Sequence, residues 1–201
     1  MKSYLIVVMF FVAAACHGNA RAATATCKQC LADANEVLSQ MDAAKATAAK
    51  LVSAAEAHCK GQAVGYVFEL VKGVWDGKVY CVAEGKVQTV FIDATGTVTK
   101  MEEAKDMDDL VDVAKAMTKE KVTLAKVIEA ADRRSRGKTL AVIAAADDES
   151  ASFDCYCGSA EKLVQVFVDG LGKAGKAGDA EALPGTGHSF HEKKPKPKPA
   201  G

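Results

Sequence analysis

The strongest constraint on this chain is a stretch that occurs twice, 76 residues apart. Residues 86–96 read KVQTVFIDATG, and residues 162–172 read KLVQVFVDGLG. With this offset held fixed and no gap introduced, residues 45–100 align with residues 121–176, with 15 identities among 56 pairs. Ungapped self-similarity of this length indicates an internal duplication. We therefore predict two copies of one structural unit.

The first residues have the pattern of a secretory leader. A lysine precedes an apolar run from Tyr4 to Ala15, which is too short for a membrane span of about 20 residues. An A-x-A pattern ending at Ala22 predicts cleavage there, so residues 1–22 are assigned to a signal peptide. The alternative is a lipoprotein box ending at Cys16, which would give a lipid anchor. Either route predicts an exported protein (periplasmic, cell-surface or secreted), where disulfides are permitted.

Each copy is predicted to begin with two helices. The lead-in helices are expected at about 31–41 and 107–117. In the second copy Thr123 is a typical N-cap, and apolar residues then recur at i, i+3, i+4 and i+7, the spacing of one helix face. Thr47 occupies the same place in the first copy. The glycines that follow, Gly61 and Gly137, are predicted to end these second helices.

Three strands are predicted to follow the helices of each copy. They are expected at about 63–72, 78–84 and 86–92 in the first copy, and at about 138–146, 152–157 and 162–168 in the second. Tight turns are expected at Gly77 and Gly85. Phe153, Cys155 and Cys157 alternate with Ser152, Asp154 and Tyr156, so the first set should face the helices, together with Val79 and Cys81 of the first copy.

The sequence therefore predicts an α+β fold with two repeated units, at 27–102 and 103–176. In each unit helices pack on a three-stranded antiparallel sheet. Because the first strand of each unit is apolar on both faces, we expect the second face to pack on the other unit, on a dimer mate or on a protein ligand. Residues 177–201 are rich in glycine and alanine and end in KKPKPKPAG, a composition that predicts a disordered tail.

Several of these motifs together resemble the PepSY domain. They are a Thr-capped helix that ends in glycine, a strand reading GQAVGYVFEL, a D-G-K turn within WDGKVYCV, and a strand followed by V-F-I-D-A-T-G. The resemblance covers about 45–100 and, more weakly, 121–176. It implies an exported module without catalytic residues, of a kind found in propeptides of thermolysin-like peptidases. Asp93/Gly96 and Asp169/Gly172 match the family motif and are interpreted as structural turn residues.

Six cysteines outside the leader predict a disulfide framework in an exported chain. Cys59 lies on the inward helix face and Cys81 on the inward strand face of the same unit. A bridge between them would close a loop of about 22 residues and contribute roughly 3 kcal/mol. The second unit cannot repeat this bridge, because Ser135 occupies the position equivalent to Cys59.

The other four cysteines leave alternatives open. A bridge between the two strand cysteines, Cys155 and Cys157, would be strained. They are therefore expected to pair with Cys27 and Cys30, and a local bridge between Cys27 and Cys30 is the alternative. A different class of function uses the same four thiols as a tetrahedral zinc site or as a redox pair. The predicted assignment nevertheless has no metal and no cofactor.

Charge and motifs indicate binding rather than catalysis. The formal net charge is zero, so nothing favours nucleic acid as a partner. No nucleophile, phosphate-binding or zinc-protease motif is present in the sequence. We therefore predict a non-enzymatic exported module that binds a protein or peptide, with a peptidase or another envelope protein as the partner. The alternatives are a thiol-based metal or redox protein and a structural envelope protein.

Overall fold

A computed structural model of the chain describes residues 28–71, 73–147, 150–180 and 183–184. It contains an α+β arrangement of four helices and eight strands. The helices are α1 (Lys28–Ala43), α2 (Ala48–Cys59), α3 (Asp109–Glu120) and α4 (Leu124–Ser135). The strands are β1 (Gln62–Val71), β2 (Val74–Ala83), β3 (Lys86–Asp93), β4 (Val98–Glu103), β5 (Lys138–Ala146), β6 (Ala151–Gly158), β7 (Leu163–Asp169) and β8 (Ala174–Asp179). The predicted leader, with Cys16, and Cys27 lie outside the described residues.

All eight strands belong to one antiparallel sheet in the order β4-β3-β2-β1-β5-β6-β7-β8. The sheet differs from the prediction of three strands per unit, because each half contributes four. The additional strands β4 and β8 form the two edges of the sheet. Both are mostly exposed and have little apolar alternation, so the pattern that identifies a strand in sequence is missing from them.

The two halves join at their first strands, where Tyr66 of β1 pairs with Val142 of β5. These residues are 76 positions apart, so each stands opposite its own equivalent. An antiparallel pair of equivalent residues has a local two-fold axis between them. A second symmetric pair of contacts lies further out: Asp42 contacts Lys138, and Thr118 Oγ1 donates to Gln62 Oε1 at 3.0 Å.

The same β-bulge occurs in β1 and β5 and is held by a helix carboxylate in each half. The register shifts between Ala63 and Gly65, and again at the equivalent positions of β5. Glu56 Oε1 of α2 accepts from the backbone N of Ala63 at 2.9 Å. Asp132 Oδ1 of α4 accepts from Thr139 N at 2.7 Å. These bonds satisfy a backbone N–H that the bulge removes from the ladder, and they fix each helix to its strand.

The starts of α2 and α4 agree with the sequence prediction, since the side chain of Thr123 accepts from Lys126 N and that of Thr47 accepts from Lys50 N. The ends differ in detail. Lys60 and Arg136, with φ of 52° and 58°, adopt the left-handed conformation that was expected of glycine.

The glycines Gly61 and Gly137 serve close packing instead of the helix cap. A Cβ at Gly61 would lie 2.5 Å from Val82 O, and one at Gly137 would lie 2.6 Å from Gly158 O. The chain that leaves each helix therefore touches the backbone of the neighbouring strand, and a larger residue would push the two apart.

The helices occupy both faces of the sheet. The inner face is the one that carries Val79 and Cys81, and it is buried under α2 and α4, as predicted for Phe153, Cys155 and Cys157. The outer face is the one that carries Lys78 and Val82. There α3 lies beside Val82 and Gln62, and Leu38 of α1 reaches the position of Gly158. The two halves therefore meet edge to edge, and the lead-in helices cover part of the second face.

The predicted turn at Gly77 is wrong. Strand β2 runs through Gly77, and the turn comes earlier, at Gly73, whose φ is 77°. A Cβ built at Gly77 would lie 3.1 Å from Ile92 Cγ2 and 3.4 Å from the ring of Tyr66. A glycine at this position therefore leaves space for these two large side chains. Trp75 lies in the strand rather than at an exposed tip, and it is buried. The turn at Gly85 is confirmed by its φ of 75°.

The described structure continues beyond the predicted boundary at residue 176. Strand β8 continues to Asp179, and the buried residues Ala180 and Leu183 follow it. Ala180 N donates to Leu163 O at 3.1 Å, which continues the pairing with β7. Backbone hydrogen bonds to β7 hold strand β8 and Ala180 in place. The sequence of this segment has no apolar pattern that would predict a strand.

Tyr66→Phe should stabilise the protein. The Tyr66 hydroxyl is fully buried with no hydrogen-bond partner among the described residues, so removing it should raise the free energy of unfolding by about 1 kcal/mol. Urea unfolding followed by circular dichroism measures the change. Tyr80→Phe, at a half-buried tyrosine of the outer face that interacts with a neighbouring group, is the control and should not stabilise the protein. A loss of stability in Tyr66→Phe would show that the hydroxyl is bonded.

Candidate binding surface

An aromatic side chain flanked by two lysines lies on the outer face of the first half. Phe91 of β3 is half-buried, and its ring centroid lies 5.4 Å from Lys78 Nζ and 5.1 Å from Lys100 Nζ. The register places the three residues in one row across β2, β3 and β4. Each cation–π contact contributes about 0.5–1 kcal/mol at an exposed site. The row therefore holds a ring and two positive charges at fixed places.

The second half has an aromatic residue at the equivalent position with a different neighbour. Phe167 of β7 stands 76 residues after Phe91 and is 50% exposed. Across the strand it pairs with Asp154, the equivalent of Lys78. Asp154 Oδ1 accepts from Gln165 Nε2 at 2.9 Å. The outer face therefore carries an aromatic ring in both halves, beside lysines in one and beside a carboxylate in the other.

The sequence analysis did not assign a role to Phe91 or Phe167. A signal was present, since both lie in the repeated stretch at outward positions of a strand, where polar residues are the rule. Assigning them required knowing that the helices leave the parts of β3 and β7 around Phe91 and Phe167 partly uncovered on this face, and that arrangement is a property of the whole fold.

A groove of ≈ 530 Å³ lies on the outer face between α3 and the first half of the sheet. Val82, Val111 and Ala114 form an apolar floor, while Lys115 and Lys119 stand at its rim. Lys115 Nζ forms an ion pair with Asp112 Oδ1 at 2.8 Å, on the surface of α3. The groove is open to solvent and continues the outer face toward the end of the strands.

The equivalent space in the second half is filled. Leu38 replaces Ala114 on the lead-in helix, and Gly158 replaces Val82 on the strand. A Cβ built at Gly158 would lie 2.7 Å from Leu140 Cδ1 and 3.3 Å from Leu38 Cδ1. In the second half, two leucine side chains therefore fill the space that stays open beside Ala114 in the first half. The two halves differ at this place.

The predicted partners Cys59 and Cys81 lie near each other, at the junction between the end of α2 and strand β2. Cys59 Sγ donates to the backbone carbonyl of Glu56 at 3.7 Å. Burial is the main cause that raises the pKa of the Cys81 thiol, and the neighbouring Cys59 and the carboxylate of Glu56 raise it further. Both cysteines are free thiols in the structure.

The four-cysteine site of the alternative prediction is only partly described. Cys27 lies outside the described residues, and Cys30, Cys155 and Cys157 are buried free thiols. Within the described ranges no group of three or more His, Cys, Asp or Glu residues could hold a metal ion. Burial is also the main cause that raises the pKa values of Cys155 and Cys157. A raised pKa lowers the thiolate fraction that redox or metal chemistry requires.

Asp93 and Asp169 close equivalent turns after β3 and β7. Asp93 Oδ1 accepts from Thr95 N at 2.8 Å and from Thr97 N at 3.0 Å, and Asp169 Oδ1 accepts from Lys173 N at 2.8 Å. Burial alone would raise the pKa of Asp93, but hydrogen bonds from Thr95, Thr97 and Gly96 outweigh it and lower the pKa. This geometry is what a turn residue requires, since each carboxylate satisfies backbone donors that the strands leave open.

Comparison with known proteins gives little further guidance. No protein-family model and no curated protein match the chain. A solved structure described as a "putative lipoprotein" from Clostridium difficile 630 is similar over 62% of this chain and 87% of that one, at 17% identity and a TM-score of 0.39. The resemblance to PepSY therefore depends on the sequence motifs alone, and its D-G-K element lies inside β2 instead of at a turn.

None of the helices in the described part of the chain is both long and apolar enough to cross a membrane.

Asp93→Asn should lower stability in a pH-dependent way. Because the folded-state pKa is lowered, the carboxylate stabilises the protein above its unfolded-state pKa, and this contribution disappears as the pH falls through the folded-state pKa. We expect a loss of about 1 kcal/mol at pH 7 that shrinks as the pH falls below the usual aspartate pKa of about 3.9. Urea unfolding at several pH values measures it, with Asp179→Asn as an exposed control. A loss that is constant with pH would contradict this assignment.

Proposed function

We propose that this protein is an exported, non-enzymatic binding module built from two PepSY-like units, and that it binds a protein or peptide through the outer face of its sheet. The observation that carries the proposal is the pair of partly exposed aromatic rings, Phe91 and Phe167, at equivalent positions of the two halves. A partner that lies across the outer face would contact both.

Exposed aromatic residues favour a contact surface on energetic grounds. A phenylalanine on an open sheet face loses the free energy of burial, about 1.5–3 kcal/mol for a fully buried side chain, unless a partner covers it. Aromatic residues are correspondingly enriched at the centres of protein interfaces. A single exposed ring would be unremarkable. Two rings at equivalent positions are a more specific observation, because the two halves share only 15 identities in 56 aligned pairs.

The charges beside the rings set the kind of partner. Lys78 and Lys100 flank Phe91, and Lys100 also pairs with Glu102, so the partner region over the first half should carry acidic groups or carbonyl acceptors near Lys78. Over the second half Asp154 replaces Lys78 beside Phe167, while Lys176 occupies the position equivalent to Lys100. Opposite charges at the two ends of one surface give a bound chain a direction, because the reversed orientation would bring like charges together.

The outer face is a better candidate than the edges of the sheet. An incoming strand would have to pair with β4 or β8. Strand β4 reads VTKMEE, and its Lys100 and Glu102 form an ion pair while Lys86 bonds Glu103 at 3.0 Å. Charged side chains at an edge discourage strand addition. Strand β8 consists of small and polar residues and offers few pockets for side chains.

The location and class of the partner follow from the sequence. The leader predicts export, with cleavage after Ala22 or a lipid on Cys16 as the two ways in which the mature protein begins. The PepSY resemblance supports a peptidase as one partner class, because such domains accompany thermolysin-like peptidases. The predicted Lys-Pro tail lies outside the described residues.

Photocrosslinking in the native envelope tests the proposal. A benzoyl-phenylalanine placed at Phe91 or at Phe167 should crosslink to the same polypeptide on irradiation. The same probe at Arg133, exposed on α4 on the opposite side of the sheet, is the matched control and should give no such product. Lys78→Glu combined with Lys100→Glu should reduce the crosslink from position 91 at least tenfold.

The proposal would be overturned by equal crosslinking from position 133, or by no product from either ring position. The substituted proteins must keep the circular dichroism spectrum and urea midpoint of the parent protein, so that a negative result reports on binding and not on folding. Products that differ between positions 91 and 167 would contradict a single partner that spans both halves.

A further inference from the structure

We infer that Cys59 and Cys81 are the site of an oxidative modification, an intramolecular disulfide that joins α2 to β2 in the first half alone. This inference is independent of the proposed binding surface, because the two cysteines lie at the inner face of the sheet. The sequence analysis expected this pair from the inward faces of α2 and β2, and the fold supplies the close approach of the two segments on which the inference depends.

The first support is the close approach of the chain after α2 to strand β2. A Cβ built at Gly61 would lie 2.5 Å from Val82 O, the residue next to Cys81. Ala63, at the start of β1, stands directly opposite Cys81 in the register. The segment that follows Cys59 therefore runs alongside Cys81, and the Cys59 side chain packs against the same core in which Cys81 is buried.

The second support is that the geometry is built twice. Ser135 and Cys157 occupy the positions 76 residues beyond Cys59 and Cys81, and a Cβ built at Gly137 would lie 2.6 Å from Gly158 O, which repeats the approach of Gly61 to Val82 O. The contact is thus a fixed feature of the unit rather than an accident of one side chain. Only the first half carries sulfur at both ends of the contact, so only that half can form the bridge.

The other described cysteines are worse partners for Cys59. Cys155 and Cys157 lie on β6, in the other half of the sheet, and the register separates β6 from β2 by two intervening strands. Thr139 Oγ1 lies 3.4 Å from Cys157 Sγ, so that sulfur already has its own buried neighbour.

The exposures of the two sulfurs fix the order of the chemistry. Cys59 is half-exposed at the end of α2, whereas Cys81 is fully buried. The Cys59 thiolate attacks one sulfur of a disulfide-bearing oxidant, forms a mixed disulfide and releases one thiol. Cys81 then loses its proton and attacks the sulfur of Cys59, which releases the second thiol, and the raised pKa of Cys81 makes this the slower step. Two protein thiols are oxidised and one disulfide of the oxidant is reduced to two thiols, which take up the two protons.

Oxidised glutathione is the test reagent for this reaction. The full chain, purified under reduction, is equilibrated in glutathione buffers, free thiols are alkylated, and the protein is digested without reduction. We expect a peptide that joins Cys59 to Cys81, about 2 Da lighter than the sum of its two reduced parts. Cys155 and Cys157 should be recovered alkylated. The thermal midpoint should rise by about 6–12 °C on oxidation, and it should not rise in Cys59→Ser.

The second half supplies a matched variant. Ser135→Cys places a thiol opposite Cys157, so the same treatment should give a second joined peptide, between residues 135 and 157, and a further rise of the thermal midpoint. Recovery of Cys59 and Cys81 as alkylated residues in the most oxidising buffer would overturn the inference. A bridge from Cys59 to any other cysteine would also overturn it. Neither result depends on whether a partner binds the outer face.

Discussion

The pairing of β1 with β5 is the interaction on which the rest of the structure depends. It turns two four-stranded sheets into one of eight strands and buries the strand edge that each half would otherwise expose. The pairing is centred on Tyr66 and Val142, which are equivalent residues, so it sets the symmetry of everything attached to it. The contacts of α2 with α4, and the crossing of the lead-in helices toward the other half, follow from this centre.

The symmetry makes the differences between the halves informative. Framework positions keep their chemistry: Glu56 and Asp132 hold the bulges, and Asp93 and Asp169 close the turns. Other positions diverge, among them the groove beside Ala114 that Leu38 fills in the second half. A shared framework with unlike surfaces allows the two halves to perform different tasks while they fold by the same rules.

Much of the core could be predicted because it depends on local pattern. The helix caps at Thr47 and Thr123 follow from residue type and spacing, and the structure confirms them. The predicted alternation of β6 holds as far as Cys155, but Tyr156, which was expected on the open face, is buried. Gly77 was mistaken for a turn because glycine next to a charged pair is a common turn signal, while its actual role is to leave space for Ile92 and Tyr66.

The remaining features depend on long-range contacts that no local pattern reports. Strand β8 is held by backbone pairing to β7, and its alanine and glycine residues predict nothing. The choice between stacking the two units and joining them at an edge could not be made from sequence, because apolar residues on both faces of a strand are compatible with either. The exposed rings Phe91 and Phe167 could be located on strands but not recognised as uncovered, since this depends on where α1 and α3 lie.

The two-fold axis between Tyr66 and Val142 has a consequence for how such a chain is assembled. A half expressed alone would leave its first strand as an open edge, and the strand that best fits this edge is the same strand of another copy. The geometry is that of a symmetric dimer whose two subunits share one polypeptide. Because the two subunits are covalently linked, their association does not depend on protein concentration. The surface of either subunit can therefore change in sequence while the two remain associated.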